Sequence, residues 1–368
     1  MLINANSLNI PLADKSVQCV VTSPPYFALR NYGINGQIGM EQTPAQYLDQ
    51  IVAVFAEVHR VLRDDGSIWV NMGDSWFAPP AGSASVDYII NQTKGDGAYA
   101  RKFRNNHQGT LDKDNDARTQ TGWNNTGLRP KNILGMPWRV AFALQDYGWY
   151  LRSDIIWYKP NAMPERITDR PAKAHDYIFL LTKSSKYFYD NEAVKQPSTQ
   201  KEQIDNTCNL RSVWTIPTQP YKESHFATYP EKLVEPCILA GTSQRGQCKA
   251  CGSPWVRILE KGELISVDGT SDDYVPKKSS DDQKIKGRSE GWTPNHIRLR
   301  STSGWRPSCS CNAGEPVPQI VLDPFSGSGT TGRVAARLNR DYVGIELNPE
   351  YLKLHPARMT VQTQITDW

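Results

Sequence analysis

No stretch of this 368-residue chain approaches the roughly 18–20 consecutive apolar residues that a membrane-spanning helix needs. The opening residues, Met1-Leu2-Ile3-Asn4-Ala5-Asn6, lack the basic and apolar regions of a secretory signal. Neither a membrane nor a secreted location is expected, and the expected location is the cytoplasm. A large excess of one charge is also missing. Lys plus Arg is 42 and Asp plus Glu is 38, a net charge of +4, which does not locate a nucleic-acid partner because net charge says little about where charge sits. Internal repeats are absent, and the composition excludes collagen-like, coiled-coil and wholly disordered chains. Cysteine is scarce and odd in number, at seven. An odd count without a signal segment argues for a reducing compartment, where close cysteine pairs suggest metal more than disulfides.

What is present is an alternation of strand-like and helix-like stretches, the pattern of an α/β fold with a largely parallel sheet. Val17–Val21 is a short apolar run that ends in Thr22-Ser23-Pro24-Pro25-Tyr26, where neither proline can donate to a ladder. From Pro44 to Leu62 apolar residues recur at spacings of three and four, which predicts an amphipathic helix. Asp64-Asp65-Gly66 should end it, with a strand over Ser67–Met72. A helix is expected from Pro137 to Ala143, strands over 153–158 and 177–182, and a further helix around 230–240. Two polar segments interrupt this pattern, 77–131 and 252–308. So long an aperiodic stretch inside a compact domain is usually functional or disordered.

Near the C-terminus, the buried-strand pattern Ile320-Val321-Leu322 runs into Asp323-Pro324-Phe325-Ser326-Gly327-Ser328-Gly329-Thr330-Thr331-Gly332. A helical segment, a second strand and then Glu346-Leu347-Asn348 follow. Gly327, Gly329 and Gly332 match a G-x-G-x-x-G spacing, and glycines let a ligand approach the backbone closely. An acid at the end of the second strand can accept hydrogen bonds from ribose hydroxyls. A P-loop is excluded, because no lysine follows the glycines. A dinucleotide site remains open on spacing alone.

Asp-Pro-Phe-x-Gly-x-Gly-Thr also resembles the S-adenosylmethionine loop of DNA amino-methyltransferases. Thr22-Ser23-Pro24-Pro25-Tyr26 resembles the catalytic motif of the same enzymes, which methylate cytosine N4 or adenine N6. The catalytic motif comes first and the cofactor loop late, an order that resembles the circularly permuted beta class. The resemblance extends over 39–74, 155–160, 166–183 and 225–240, most of the chain outside the two polar segments. It implies a Rossmann-like α/β methyltransferase sheet. The catalytic half lies in 1–76 and continues through 132–246, and the cofactor half in 313–368. Residues 77–131 and 247–312 are polar insertions, each a candidate for DNA contact or target recognition.

The resemblance also implies residue roles. Ser23, Pro24, Pro25 and Tyr26 are the catalytic candidates. Asn6, Thr22, the segment Asp323 to Thr331 and Glu346, Leu347 and Asn348 are the cofactor candidates. Asn6 stands where the family often has an acid, although an amide can still bond an adenine ring. An exocyclic amine is a poor nucleophile, because its lone pair is delocalised into the ring. Acceptors such as the Ser23 hydroxyl and the Pro24 carbonyl can hold its N–H groups, and the prolines preorganise them. Tyr26 offers a face on which a flipped-out base can stack.

Serine at the head of the motif resembles cytosine-N4 enzymes, whereas aspartate there resembles adenine-N6 enzymes. Cytosine N4 is therefore the favoured target and adenine N6 the alternative. The implied partner is double-stranded DNA, within restriction–modification; a restriction endonuclease and a second copy of the chain are further partners it allows. Methyltransferases acting on RNA or on protein glutamine oppose the motif order. An inactive zinc-dependent DNA-binding module would not need intact motifs, and a nicotinamide dehydrogenase leaves Ser-Pro-Pro-Tyr unexplained.

Cys248-x-x-Cys251 and Cys309-x-Cys311 complete the inventory. Two close thiol pairs can form a tetrahedral four-sulfur site, for which zinc is the commonest metal. Such a site is closed to substrate, so the expected role is to staple the polar insertion. That insertion interleaves Arg288, Trp292, His296, Arg298, Arg300, Trp305 and Arg306, a composition suited to phosphate contact and base stacking. The first insertion offers Lys94, Arg101, Lys102, Arg104 and Arg118.

Overall fold

The computed structural model describes residues 1–77, 131–197, 207–219, 229–266, 296–353 and 361–362. The cationic candidates 94–118, Arg288, Trp292, residues 225–228 and Pro356 lie outside them.

The strands in chain order are β1 (Leu2–Asn4), β2 (Val17–Thr22), β3 (Leu62–Met72), β4 (Tyr150–Tyr158), β5 (His175–Thr182), β6 (Gln196–Pro197), β7 (Thr207–Cys208), β8 (Val213–Thr215), β9 (Trp255–Ser266), β10 (His296–Pro307), β11 (Ile320–Asp323), β12 (Asp341–Glu346) and β13 (Val361–Gln362). The helices are α1 (Pro44–Val61), α2 (Met136–Tyr147), α3 (Glu231–Gly241), α4 (Thr330–Arg337) and α5 (Pro349–Leu352). Nine strands form one sheet in the order β13-β1-β12-β11-β2-β3-β5-β4-β8. Pairing is parallel from β13 through to β3, and β5 runs antiparallel to both β3 and β4.

Strand residues alternate between two apolar layers. Val20, Ile68, Val70, Phe179, Leu181 and Leu322 pack in one buried cluster with Ile51, Val54, Phe55 and Val58 of α1 and Val140 and Leu144 of α2. Cys19, Val21, Trp69, Ile178, Leu180 and Val321 pack in a second with Leu233, Val234 and Ile238 of α3 and Val334 and Ala335 of α4. Both sheet faces are thus covered, which is why β2 is buried at every position.

Local sequence sets the ends of these elements. Thr43 caps α1 in a reciprocal capping box with Gln46, and Pro44 opens the helix, where its missing N–H costs nothing. α4 starts at Thr330, three residues before the expected Arg333, because Gly329 in the left-handed region turns the chain directly into the helix. β3 begins at Leu62 rather than at Ser67, so Asp64-Asp65-Gly66 lies inside the strand. The pairing to β2 shifts register between Leu62 and Ser67, an irregularity that absorbs the turn-forming residues. The second polar segment has regular structure at its two ends, where β9 and β10 form an antiparallel ribbon.

Candidate active site

β2 and β11 are neighbours, but their chain connections diverge. β2 leads to β3 on one side, and β11 leads to β12 on the other. At such a switch point the loops leaving the carboxyl ends part and leave a crevice. The crevice here is a cleft of about 660 Å³. The Ser-Pro-Pro-Tyr loop enters it from β2, and the glycine loop enters it from β11.

One buried carboxylate joins the two loops. Asp323, at the end of β11, accepts hydrogen bonds from Thr22 Oγ1 (2.7 Å), Thr331 Oγ1 (2.9 Å), Tyr229 OH (3.0 Å) and its own loop's Phe325 N–H (3.1 Å). Burial pushes its carboxyl above the usual range, and the hydrogen bonds from Thr22, Thr331, Phe325 and Tyr229 act the other way. Thr22, Asp323, Gly329 and Thr331 therefore brace the floor of the cleft rather than line it. Tyr229 reaches from the start of α3 to contribute to both floor and wall.

The glycine-loop end of the cleft is lined by Asn6, Pro324, Phe325, Ser326, Gly327, Ser328, Thr330, Glu346, Leu347 and Asn348. Glu346 Oε2 accepts the Gly327 N–H and Oε1 accepts the Asn348 N–H, both at 2.8 Å. Each oxygen keeps a lone pair for a further donor. Burial raises the Glu346 carboxyl above its ordinary value, against the lowering effect of these N–H groups. Ser326 packs its hydroxyl against Tyr342 OH (2.8 Å), and a Cβ at Gly344 would come within 2.6 Å of that hydroxyl. The glycine is what lets β12 lie under the loop.

The other end holds Ser23, Pro24, Pro25 and Tyr26. Tyr47 of α1, fully buried, donates to the Pro25 carbonyl at 2.9 Å and fixes the loop from below. Gly39 (φ +101°) lies against the loop, where a Cβ would sit 3.0 Å from the Tyr26 carbonyl oxygen. Tyr26 accepts a hydrogen bond from Asn71 Nδ2 at 3.1 Å. Burial, and then the nearby Asp176 carboxylate, push its phenol well up, while hydrogen bonding to Ser23 and to the Gly73 backbone acts in the opposite direction. Lys159 Nζ donates to Asp176 at 2.5 Å and lies over the Trp157 ring, 4.4 Å from its centroid.

Every proposed catalytic and cofactor residue therefore lines or braces one cleft. Several contributors were not singled out in the sequence. Ser7, Tyr47, Asn71 and the Lys159–Asp176 pair come from other elements. Asn71 is the one of these with a local signal: it is a polar residue in the apolar run Ile68-Trp69-Val70-Asn71-Met72.

The four cysteines are brought together elsewhere. The sulfurs of Cys248, Cys251, Cys309 and Cys311 all lie within 4.8 Å of one another. Arg63, near the start of β3, donates to the Cys251 carbonyl at 3.0 Å, so this cluster sits at the amino-terminal end of β3, the end away from the cleft. Ser253 hydrogen bonding lowers the Cys251 thiol to about 6, and Cys251 and Cys309 raise Cys311 to about 12. In the ribbon beyond, the Arg257 guanidinium covers the Trp305 ring at 4.5 Å and pairs with buried Asp190 at 2.8 Å. His296, Arg298, Arg300 and Arg306 lie on β10.

Comparison with known proteins agrees with this arrangement. A DNA methylase family model matches residues 17–248 and 310–356. The Type II methyltransferase M.XycI of Xanthomonas campestris pv. cyanopsidis is 40% identical over 95% of this chain and 84% of its own length. M.Cfr9I of Citrobacter freundii is 38% identical over 95% and 83%, and M.SmaI of Serratia marcescens 36% identical over 95% and 86%. Among solved structures, PvuII DNA methyltransferase (cytosine-N4-specific) shares the fold with a TM-score of 0.51. It is 16% identical, over 96% of this chain and 83% of that one. With both motifs at the switch point of one sheet and the family match spanning both halves of it, the chain belongs to the N6/N4 DNA methylase family.

Proposed function

We propose that this methyltransferase transfers a methyl group from S-adenosylmethionine to cytosine N4 in double-stranded DNA, on a base flipped into the Ser23–Tyr26 end of the cleft. The observation that carries the reading is the Thr22–Asp323 bond, which ties the amine-holding loop to the glycine loop. Such a tie supports an in-line geometry, because two reactants can then be held in register by one rigid floor. When bound, the sulfonium supplies an electrophilic methyl carbon and a neutral thioether leaving group. The new N–C bond takes the amine lone pair, the C–S pair stays on sulfur, and one amine proton leaves to water.

The chain's own contribution is binding and orientation. Glu346 accepts from the ribose hydroxyls, and the Gly327 backbone, which lines the cleft, lets the cofactor approach closely. The Ser23 hydroxyl and the Pro24 carbonyl accept the two N–H groups of the amine, which favours a pyramidal nitrogen and frees its lone pair. Serine at position 23 supports cytosine N4 over adenine N6 by resemblance. The relatives' Type II class supports a place in restriction–modification beside a cognate endonuclease.

The cysteine cluster supports a structural zinc. A tetrahedral four-thiolate site, with Zn–S of about 2.3 Å, needs sulfurs about 3.8 Å apart, and the four sulfurs here, all within 4.8 Å of one another, are close enough to converge on one ion. The test of function is incubation with DNA and labelled S-adenosylmethionine, followed by digestion to nucleosides. N4-methylcytosine is the expected product. N6-methyladenine alone would reverse the base, and no labelled nucleoside would reject the activity.

A further inference from the structure

Asn71 stands out among the buried polar groups of the cleft. It is the tenth residue of β3, on the face shared with Trp69, and is only 6% exposed. Its neighbours on the strand, Val70 and Met72, belong to the apolar core. An amide in such a place costs stability unless both its ends find partners. One end has one: Nδ2 donates to the Tyr26 phenol. The other end, Oδ1, is buried and has no hydrogen-bond partner. It nevertheless belongs to a residue that lines the cleft beside Ser23 and Tyr26.

The strand beside it is closely covered. Gly73, two residues on, lets Tyr26 and Asp176 close over the strand. A Cβ there would come within 2.7 Å of Tyr26 Cε2 and 3.0 Å of Asp176 Oδ1. Two of the acceptors nearby are committed. The Pro25 carbonyl is taken by Tyr47 and Asp176 Oδ2 by Lys159. A neutral hydroxyl is a weaker acceptor than a carboxylate for an amine that must be held firmly. A buried acceptor without a donor is what a site leaves open for a donor on its substrate.

We propose that Asn71 Oδ1 is a further acceptor for the target base, sharing with Ser23 one N–H of the exocyclic amine while the Pro24 carbonyl holds the other. Two neutral acceptors on one N–H, a three-centre bond, then do together what a single stronger acceptor would do. The proposal rests on the reading of this cleft as an amino-methyltransferase site. It adds a residue from β3, outside the Ser-Pro-Pro-Tyr loop, that touches the reacting group.

The experiment compares Asn71→Leu, Asn71→Asp and Tyr26→Phe with the wild type. Single-turnover transfer from labelled S-adenosylmethionine to bacterial genomic DNA is measured, and cofactor affinity is measured by calorimetry. Asn71→Leu should slow transfer about 100-fold, the scale of removing one preorganised transition-state hydrogen bond, with cofactor Kd unchanged. Asn71→Asp keeps an oxygen at the same place and should recover at least tenfold over the leucine variant. Because a carboxylate can only accept, this variant also fixes the orientation of the amide. Tyr26→Phe removes the Nδ2 partner but leaves Oδ1, and should cost less than about fivefold. Where leucine disturbs the fold, Asn71→Ala adds no bulk and should show the same loss. Equal losses in Asn71→Leu and Tyr26→Phe, or an aspartate variant as slow as the leucine one, would overturn the proposal while leaving the activity in place. A wild-type protein that labels no exocyclic amine would overturn both.

Discussion

Replacing Asp323 with alanine tests the idea that one carboxylate couples the two halves of the site. The side chain receives four donors: the hydroxyls of Thr22, Thr331 and Tyr229, and the Phe325 N–H. Two of these can recover. Tyr229 OH and Thr331 Oγ1 are already 2.5 Å apart and can bond each other, and Thr331 also has the Val21 carbonyl at 3.3 Å. The Thr22 hydroxyl and the Phe325 N–H have no such alternative among the described residues. Leaving two donors unpaired costs about 1–3 kcal/mol each, so the variant should lose about 2–6 kcal/mol. That is a large share of a typical total of about 5–15 kcal/mol. Urea unfolding should show it as a lower midpoint with an unchanged slope. Calorimetry should show weakened S-adenosylmethionine binding, since the glycine loop loses its anchor. A loss below about 1 kcal/mol together with an unaltered cofactor Kd would refute the coupling.

The same residue gives a pH signature whose sign follows from burial. Its folded value is raised above the ordinary 3.8. Below 3.8 both folded and unfolded chains hold the proton. As pH rises past 3.8 the unfolded chain ionises first, so this group's contribution to stability falls until the folded carboxyl ionises as well. Asp323→Asn should therefore flatten that part of the stability–pH curve.

Three further outcomes are expected. Glu346→Ala should weaken S-adenosylmethionine binding about 10- to 100-fold without unfolding the protein. In the wild type, binding should fall as pH drops through the raised Glu346 value, and calorimetry from neutral to acid pH should show this dependence vanish in the variant. Gly73→Ala places a methyl 2.7 Å from the Tyr26 ring and should cut transfer at least tenfold while cofactor affinity holds, as read by paired turnover and calorimetry. Metal analysis should find one zinc per chain; chelation, or Cys248→Ser, should lower thermal stability and expose 247–312 to protease before the sheet, and metal-free protein with intact stability would remove the assignment.

The local chemistry was legible in the sequence. The apolar periods predicted α1 and the β11–α4–β12 unit, because burial on one face imposes a repeat that can be read residue by residue. Ser23-Pro24-Pro25-Tyr26 and the loop from Asp323 to Thr331 were legible because catalysis and close cofactor approach demand particular residue types at fixed spacing. Their order pointed to a permuted sheet, and the pairing of β2 with β11 bears this out. Cys248, Cys251, Cys309 and Cys311 could be grouped by type alone. What the sequence could not decide is what depends on proximity between distant segments. Thr22 and Asp323 are 301 positions apart, and nothing near either one says that they share a hydrogen bond. Asp323 reads in sequence as a cofactor ligand, and only the sheet reveals that its oxygens are committed to the floor. Asn71, Tyr47 and Asp176 sit on three different elements and Lys159 directly follows a fourth, and their roles arise only where α1, β3, β4 and β5 are laid side by side. Side-chain type and spacing act along the chain, whereas burial and hydrogen-bond partnership are set across it, by strand order and register that no local pattern encodes.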